Sequence, residues 1–353
     1  MADRPRAWAD LLAVLLAGRD LSSDDAAWAM GQIMAGDAQP VQLAAFLVAL
    51  RAKGESVPEL RAIADTMLTH ARRIQIDGPS LDIVGTGGDR AQTVNISTMA
   101  AITAAATGVR VIKHGNRAAS SSSGTADVLE ALGVNLSLSP DQVVEVARRC
   151  GITFCFAQVF HPAMRHAAGV RRELGIPTVF NVLGPLTNPA QPTHSAIGVA
   201  DPRLAPLVAG VFASRGRSAA VFRGDDGLDE ITVATTSQVW WVADGHVQPF
   251  VLDPTQFGFE LHPLDALRGG SPQHNAEVVR QVFAGERGAV RDAVLLNAGI
   301  ALATMGSRPV TSPASFVASV QSGIQQAADA LDDGRVAAAL ARWAAVSSSM
   351  DQP

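Results

Sequence analysis

Tyrosine is absent from this 353-residue chain, cysteine occurs only twice, and no run of lysine or arginine appears anywhere in it. The missing tyrosine decides nothing about chemistry, but the other gaps do. Cys150 and Cys155 cannot build a disulfide framework and lack the spacing of a zinc site, so they read as inert core thiols beside a buried strand. With a net charge of −5 and no basic stripe, a nucleic-acid surface starts at a disadvantage. Residues 1–10 hold Asp3, Arg4, Arg6 and Asp10 without an apolar signal core, and no long uncharged apolar stretch follows. The cytoplasm is the expected compartment. A composition of 48% hydrophobic and 17% charged residues is that of an ordinary globular protein. A polyanionic small substrate would then depend on a few local cations, backbone amides or a metal.

The length favours two domains. Residues 1–74 read as helical throughout. Trp8, Leu11, Leu12, Leu15 and Leu16 recur at helical period, Ser22 or Ser23 opens a second helix, Pro40 a third that closes near Gly54, and Pro58 a fourth. From Leu81 short apolar runs alternate with helices. Strands are expected at Leu81–Val84, Val109–Ile112, Ile152–Phe156, Ala196–Val199 and Ala219–Phe222, with helices at Ser97–Thr107, Thr125–Leu132, Pro140–Cys150 and 161–175. That alternation predicts an α/β fold with a parallel sheet. Residues 231–250 alternate in β fashion and turn at Asp244-Gly245, the tail is helical from about residue 273, and 347–353 should fray.

Two anion-handling signatures stand in tandem. The first is D-I-V-G-T-G-G-D at 82–89, followed by N-I-S-T at 95–98; the second is K-H-G-N-R at 113–117, followed by serines and S-G-T-A-D at 123–127. Each follows an apolar run and opens onto a small-residue helix, so backbone amides and a helix N-terminus converge, which is how anions are held. Alone, G-T-G-G-D is more often a tight turn without a ligand, and Thr93, Asn95, Ser97 and Thr98 are more often simple caps. Lys113 beside Val111 and Ile112 is harder to explain without an anion opposite. Ser120 to Ser123 could equally be a plain turn. Asp225, Asp226, Asp229 and Glu230 form a dense acidic group after a strand, ordinarily a solvated turn, but suited to magnesium if a pyrophosphate is present. Arg171 and Arg172 could fork a carboxylate or stay solvated. His161 and His166, five apart, do not share a helical face, so a zinc reading is poor.

Together these segments, with V-R-R-E-L-G, F-N-V-L-G-P-L-T-N-P and D-G-L-D-E-I-T, resemble the anthranilate phosphoribosyltransferases of the nucleoside phosphorylase-II-like phosphoribosyltransferases, over residues from about 25 to about 345. The resemblance implies a small all-helical domain, residues 1–74 with a later helical insertion near 165–185, packed on a larger α/β domain, 75–353. The larger domain would have a mainly parallel central sheet, and the chain would dimerise through its helices. It implies transfer of the 5-phosphoribosyl group from phosphoribosyl pyrophosphate to the amine of anthranilate, the second step of tryptophan biosynthesis from chorismate, with about two Mg2+ ions per subunit. Gly85, Gly88, Asp89, Thr93, Asn95, Ile96, Ser97 and Thr98 would contact the donor, as would Lys113, His114, Gly115, Asn116, Arg117, Ala118, Ala119, Ser120, Ser121 and Thr125. Gly85, Asn116 and Arg171 would meet anthranilate, Ser97, Asp229 and Glu230 would hold magnesium, and Lys113 would stabilise the leaving charge. No general base is nominated, since an aniline nitrogen needs none.

Some positions depart from the family pattern. Thr125 stands for a serine, Ala118 and Ala119 for S-V type residues, Ser122 for a lysine, and Arg223 where histidine commonly precedes the glycine of the acidic loop. A pyrimidine nucleoside phosphorylase is the nearer rival, disfavoured because its lysine-serine-glycine loop is missing. A non-catalytic relative that binds nucleic acid is the more distant one, disfavoured by the intact acidic pair and the missing basic patch.

Overall fold

The structure is a computed structural model, which describes residues 6–117 and 123–350. Four helices come first: α1 (Trp8–Leu16), α2 (Ser23–Ala35), α3 (Pro40–Lys53) and α4 (Val57–Thr69). Their ends follow from local chemistry. Ser22 Oγ accepts the Asp25 amide at the start of α2, and Gly36 at φ 84° ends it. Glu59, fully buried, accepts from the Ser56 and Leu21 amides and from Lys53 Nζ, so its charge is spent on holding α4 to the turns around it.

The chain then enters a seven-stranded sheet. First come β1 (Leu81–Gly85), α5 (Ile96–Ala106), β2 (Val111–Gly115), α6 (Thr125–Ala131), α7 (Pro140–Cys150) and β3 (Ile152–Phe156). Helices α8 (Ala157–Phe160), α9 (Arg165–Leu174) and α10 (Phe180–Leu186) follow, then β4 (His194–Gly198), α11 (Ala205–Ser214) and β5 (Ser218–Gly224). The hairpin β6 (Ser237–Ala243) and β7 (His246–Leu252) turns at Asp244 and Gly245, both at positive φ. Helices α12 (Pro272–Phe283), α13 (Ala289–Thr304), α14 (Pro313–Asp332) and α15 (Arg335–Ser349) complete it.

Strand order is β3-β2-β1-β4-β5-β6-β7, parallel through β5 and antiparallel at β6 and β7. The order reverses direction between β1 and β4, so a crevice opens beyond their carboxyl ends, the usual ligand position in such sheets. Alternating residues divide the sheet between two cores. Ala196, Ala220 and Phe222 pack with α5 and α12–α15, whereas Ile197, Ala219 and Val221 pack with α11 and the helices at the N-terminus. Contact is tight there, because a Cβ on Gly210 of α11 would meet Val57 Cγ2 at 2.7 Å. Helix α9 lies against α2 and α3.

Several expectations need correction. Strand β2 begins two residues later than periodicity predicts and runs through Gly115, because Val111–Gly115 pair in register with Ile152–Phe156. Lys113 and His114 therefore lie within the strand, past its expected end at Ile112. The helix expected over 161–175 begins as a short 3-10 turn, Pro162–Met164, whereas the N-V-L-G-P-L segment is helical despite Pro185, in keeping with the helical insertion expected near 165–185. The final hairpin starts at Ser237, after an irregular 231–236. Residues 347–349 do not fray: α15 continues through Ser349, and buried Ser347 Oγ accepts the Asn135 amide.

Candidate functional site

Beyond the ends of β1 and β4 the backbone closes on the acidic loop so tightly that only glycine fits. A Cβ on Gly85 would collide with Asp229 Oδ2, and one on Gly198 with the Asp229 carbonyl. Gly87 and Gly88 then take left-handed conformations, as do Arg90 and Gln92, which curls 87–92 back toward Thr93. The Gly87 amide donates to Asp229 Oδ2 at 2.6 Å, and the Ser97 amide, in the first turn of α5, donates to Glu230 Oε1 at 3.2 Å. Thr86 ties this loop to the next strand: its amide donates to the Gly198 carbonyl and its Oγ1 accepts the Ala200 amide.

Three charges lie buried together. Asp229 and Glu230 are each 8% exposed and Lys113 is 1%. Lys113 Nζ donates to the Ile83 carbonyl and, at 3.3 Å, to Ser97 Oγ. Burial pushes Asp229 up to about 7, with the charge of Asp89 adding to it, and lifts Glu230 well above the usual carboxylate range, with Asp229 adding to that. Burial lowers Lys113, while Asp82, Glu230 and Asp229 hold it up. Crowded carboxylates that raise one another and offer only oxygen donors suit a hard divalent cation. The set fits magnesium as a partial shell. Among the described residues no group of three or more His, Cys, Asp or Glu forms a complete cage, so waters and a substrate phosphate would fill the rest.

A cavity of about 650 Å³ extends from this cradle to α9 and α10. His114 and His161 share its middle, rings 5.1 Å apart, with His114 Nδ1 against the Gly184 carbonyl and His161 Nε2 against that of Thr187. Burial lowers them to about 3 and about 4, so both are neutral near pH 7. At the far end the Arg171 guanidinium lies 5.0 Å over the Phe180 ring. Burial lowers its pKa, and no carboxylate pairs with it among the described residues. Met67, Met164, Leu183 and Pro185 make that end apolar.

The structure brings Gly85, Gly88, Asp89, Thr93, Asn95, Ile96, Ser97, His114, Gly115, Asn116, Arg117, Thr125, Arg171, Asp229 and Glu230 into the lining of one cavity. Lys113 and Thr98 lie beneath it, buried; Thr98 Oγ1 faces Thr125 Oγ1 at 3.5 Å. Arg117 lines the wall but is held by Asp127 and Glu130, over the Phe156 ring. Ala118, Ala119, Ser120, Ser121 and Ser122 fall outside the described residues. The acidic group divides. Asp225 bonds Thr236 and Gln238, and Asp226 bonds Thr232, shaping the turn that aims Asp229 and Glu230 inward. Sequence reasoning misses Met67, Met164 and Phe180, since apolar residues at helical spacing look like any core. From its spacing His161 invites only a zinc reading, and nothing local marks it as a cavity residue.

Comparison with known proteins agrees with the fold. Residues 9–71 match a glycosyl transferase family model described as the helical bundle domain, and residues 77–337 match that family's a/b domain. An anthranilate phosphoribosyltransferase of Nocardioides sp. is 56% identical over 97% of this chain and 99% of its own length; that of Rhodococcus jostii is 56% identical over 98% and 94%. Among solved structures, the Thermus thermophilus anthranilate phosphoribosyltransferase superposes with a TM-score of 0.88 at 41% identity, covering 96% of this chain and 99% of that one. The Saccharomyces cerevisiae enzyme, in complex with PRPP and Mg, gives 0.87 at 28% identity, with 97% and 98% covered. No described helix is long and apolar enough to cross a membrane. Full-length identity above half, with both domain matches in order, shows that the chain belongs to this glycosyl transferase family, among its anthranilate phosphoribosyltransferases.

Proposed function

We propose that this chain transfers the 5-phosphoribosyl group of phosphoribosyl pyrophosphate to the amine of anthranilate. The acceptor nitrogen forms a bond to C1 of the ribose, the bond from C1 to pyrophosphate oxygen breaks, and the amine proton passes to solvent. The observation that carries this reading is Arg171, a cation without a carboxylate partner among the described residues, at the apolar end of a cavity whose other end is the glycine loop and acidic pair. A flat aromatic carboxylate fits the first end and a phosphorylated sugar the second.

In this reading the amides of 85–98 and the 113–125 segment grip the donor, with Gly85 and Asn116 also meeting the acceptor. Ser97, Asp229 and Glu230 would hold magnesium, in two ions per subunit. Magnesium, when bound, would neutralise charge growing on the departing pyrophosphate. Lys113, from beneath, would favour the ionised form of Glu230 and lend positive charge to the leaving pyrophosphate. Neutral His114 and His161 line the reaction path without adding a second positive charge near the amine. We take the helices of 1–74 and 165–185 as one body that closes on the rest of residues 75–353 to exclude water, and the cytoplasm as the compartment, in keeping with two free thiols. Leu16, Val41 and Val48, exposed on α1 and α3, would be covered in a homodimer.

The test is direct. Phosphoribosyl-anthranilate should form only when donor, anthranilate and magnesium are all present, and absence of turnover with all three would overturn the reading. Arg171→Ala is expected to raise the acceptor KM roughly 10- to 100-fold while leaving the donor KM in place.

A further inference from the structure

Asn275 is buried where its own helix does not call for a polar side chain: it stands in the first turn of α12 and is 1% exposed. Its Oδ1 accepts the Gly270 amide at 2.8 Å, and its Nδ2 donates to Asn95 Oδ1 at 2.9 Å. Asn95 in turn gives its own Nδ2 to the Ser123 carbonyl at 3.2 Å. One line of side-chain amides thus runs from the segment before α12, through the residue that opens α5, to the chain that opens α6.

Backbone bonds hold the same segment against the glycine loop. The Gly269 amide donates to the Gln92 carbonyl at 2.8 Å and the Val94 amide to the Leu267 carbonyl at 2.9 Å. The approach is close, since a Cβ on Gly269 would meet the Thr93 carbonyl oxygen at 2.7 Å. Arg90 and Gln92 keep left-handed backbones without being glycine, and such conformations persist only where neighbours over-determine them. An asparagine amide can face either way, and it is the donor at Asn95 Oδ1 that turns Nδ2 toward Ser123.

We propose that Asn275 is a positioning residue for the donor site: through Asn95 and Gly270 it locks the two anion cradles in register without touching the reacting groups. The inference rests on the functional reading above, in which Asn95 and the 85–98 loop hold phosphoribosyl pyrophosphate.

The experiment is a double-mutant cycle on the full chain with magnesium, reading donor KM, acceptor KM and Tm. Asn275→Asp keeps an acceptor for the Gly270 amide but cannot donate to Asn95, and Tm reads whether the fold is retained. It should raise the donor KM about tenfold, with the acceptor KM unchanged. In an Asn95→Ala background the same change should have little further effect on donor KM, because its route is gone. An equal effect in both backgrounds would mean that the new charge repels the donor directly, and would overturn the inference. So would an unchanged donor KM. If Asn275→Asp does not fold, Asn275→Gln and Asn95→Ala supply the same comparison. Titration of the unmutated chain with phosphoribosyl pyrophosphate and magnesium separates the two failures: no binding there sinks the functional reading, whereas normal binding with an indifferent Asn275 sinks only this inference.

Discussion

The buried residues at the site carry charges that folding alone would avoid. Asp229 sits at about 7 against an ordinary 3.8, so folding takes up a proton between those values and stability is lost as pH rises through that window. Asp229→Asn keeps an acceptor for the Gly87 amide and removes the titration. Its Tm should exceed that of the parent by a margin that grows from pH 5 to pH 7 and then levels, while turnover falls ~10²–10³-fold. Thermal unfolding across pH, with steady-state rates alongside, checks both; a pH-independent margin would contradict the assigned cause. Arg171 differs because it is not spent. Its stacking on Phe180 sets the plane of the fork, so Arg171→Lys should recover little of the acceptor affinity that Arg171→Ala loses. None of these burials can be read from spacing, because Lys113 and Asp229 become interior only once β2 pairs with β3 and the acidic loop folds over β1 and β4.

Among the elements, the strand ends decide the arrangement. Gly198 carries no signal in the sequence, yet the Asp229 carbonyl occupies the place of its Cβ. Gly198→Ala should push the 225–230 loop outward and destabilise the fold by ~1–3 kcal/mol. It should also raise the magnesium concentration needed for half activity, measured by metal titration of rate and by Tm. Arg223 acquires a local account: Nε donates to the Ala200 carbonyl at 2.9 Å and Nη1 to that of Gly224 at 3.2 Å. It braces the exit of β4 against the start of the acidic loop. The helices are more legible than the strands. Ser139, Pro140 and Gly151 bracket α7 as caps should, because capping is local. The start of β2 moves by two residues because a partner distant in sequence sets it.

For the whole molecule, the switch in strand order between β1 and β4 makes the crevice, and the second face of the sheet shares a core with the N-terminal helices. If Asp229 holds magnesium as proposed, binding there would displace a proton below about pH 7. The magnesium concentration for half activity should therefore fall as pH rises from 6 to 8 and flatten above, which metal titrations at several pH values will show. Exposed Leu16, Val41 and Val48 predict a dimer by light scattering, reduced to monomer by Val41→Glu/Val48→Glu with little change in Tm. The alternation of elements, most of the helix ends and the segments that meet at the cavity are written along the chain itself, because propensity, caps and glycine-rich turns act over a few residues. Folding in three dimensions is what puts Lys113 beneath the cradle, turns Asp225 and Asp226 away from it while Asp229 and Glu230 face in, and sets 267–275 against the glycine loop. Those outcomes depend on contacts that reach beyond any local pattern, from the Lys113 bond to the Ile83 carbonyl, 30 residues away, to the Asp229 bond with the Gly87 amide, 142 residues away.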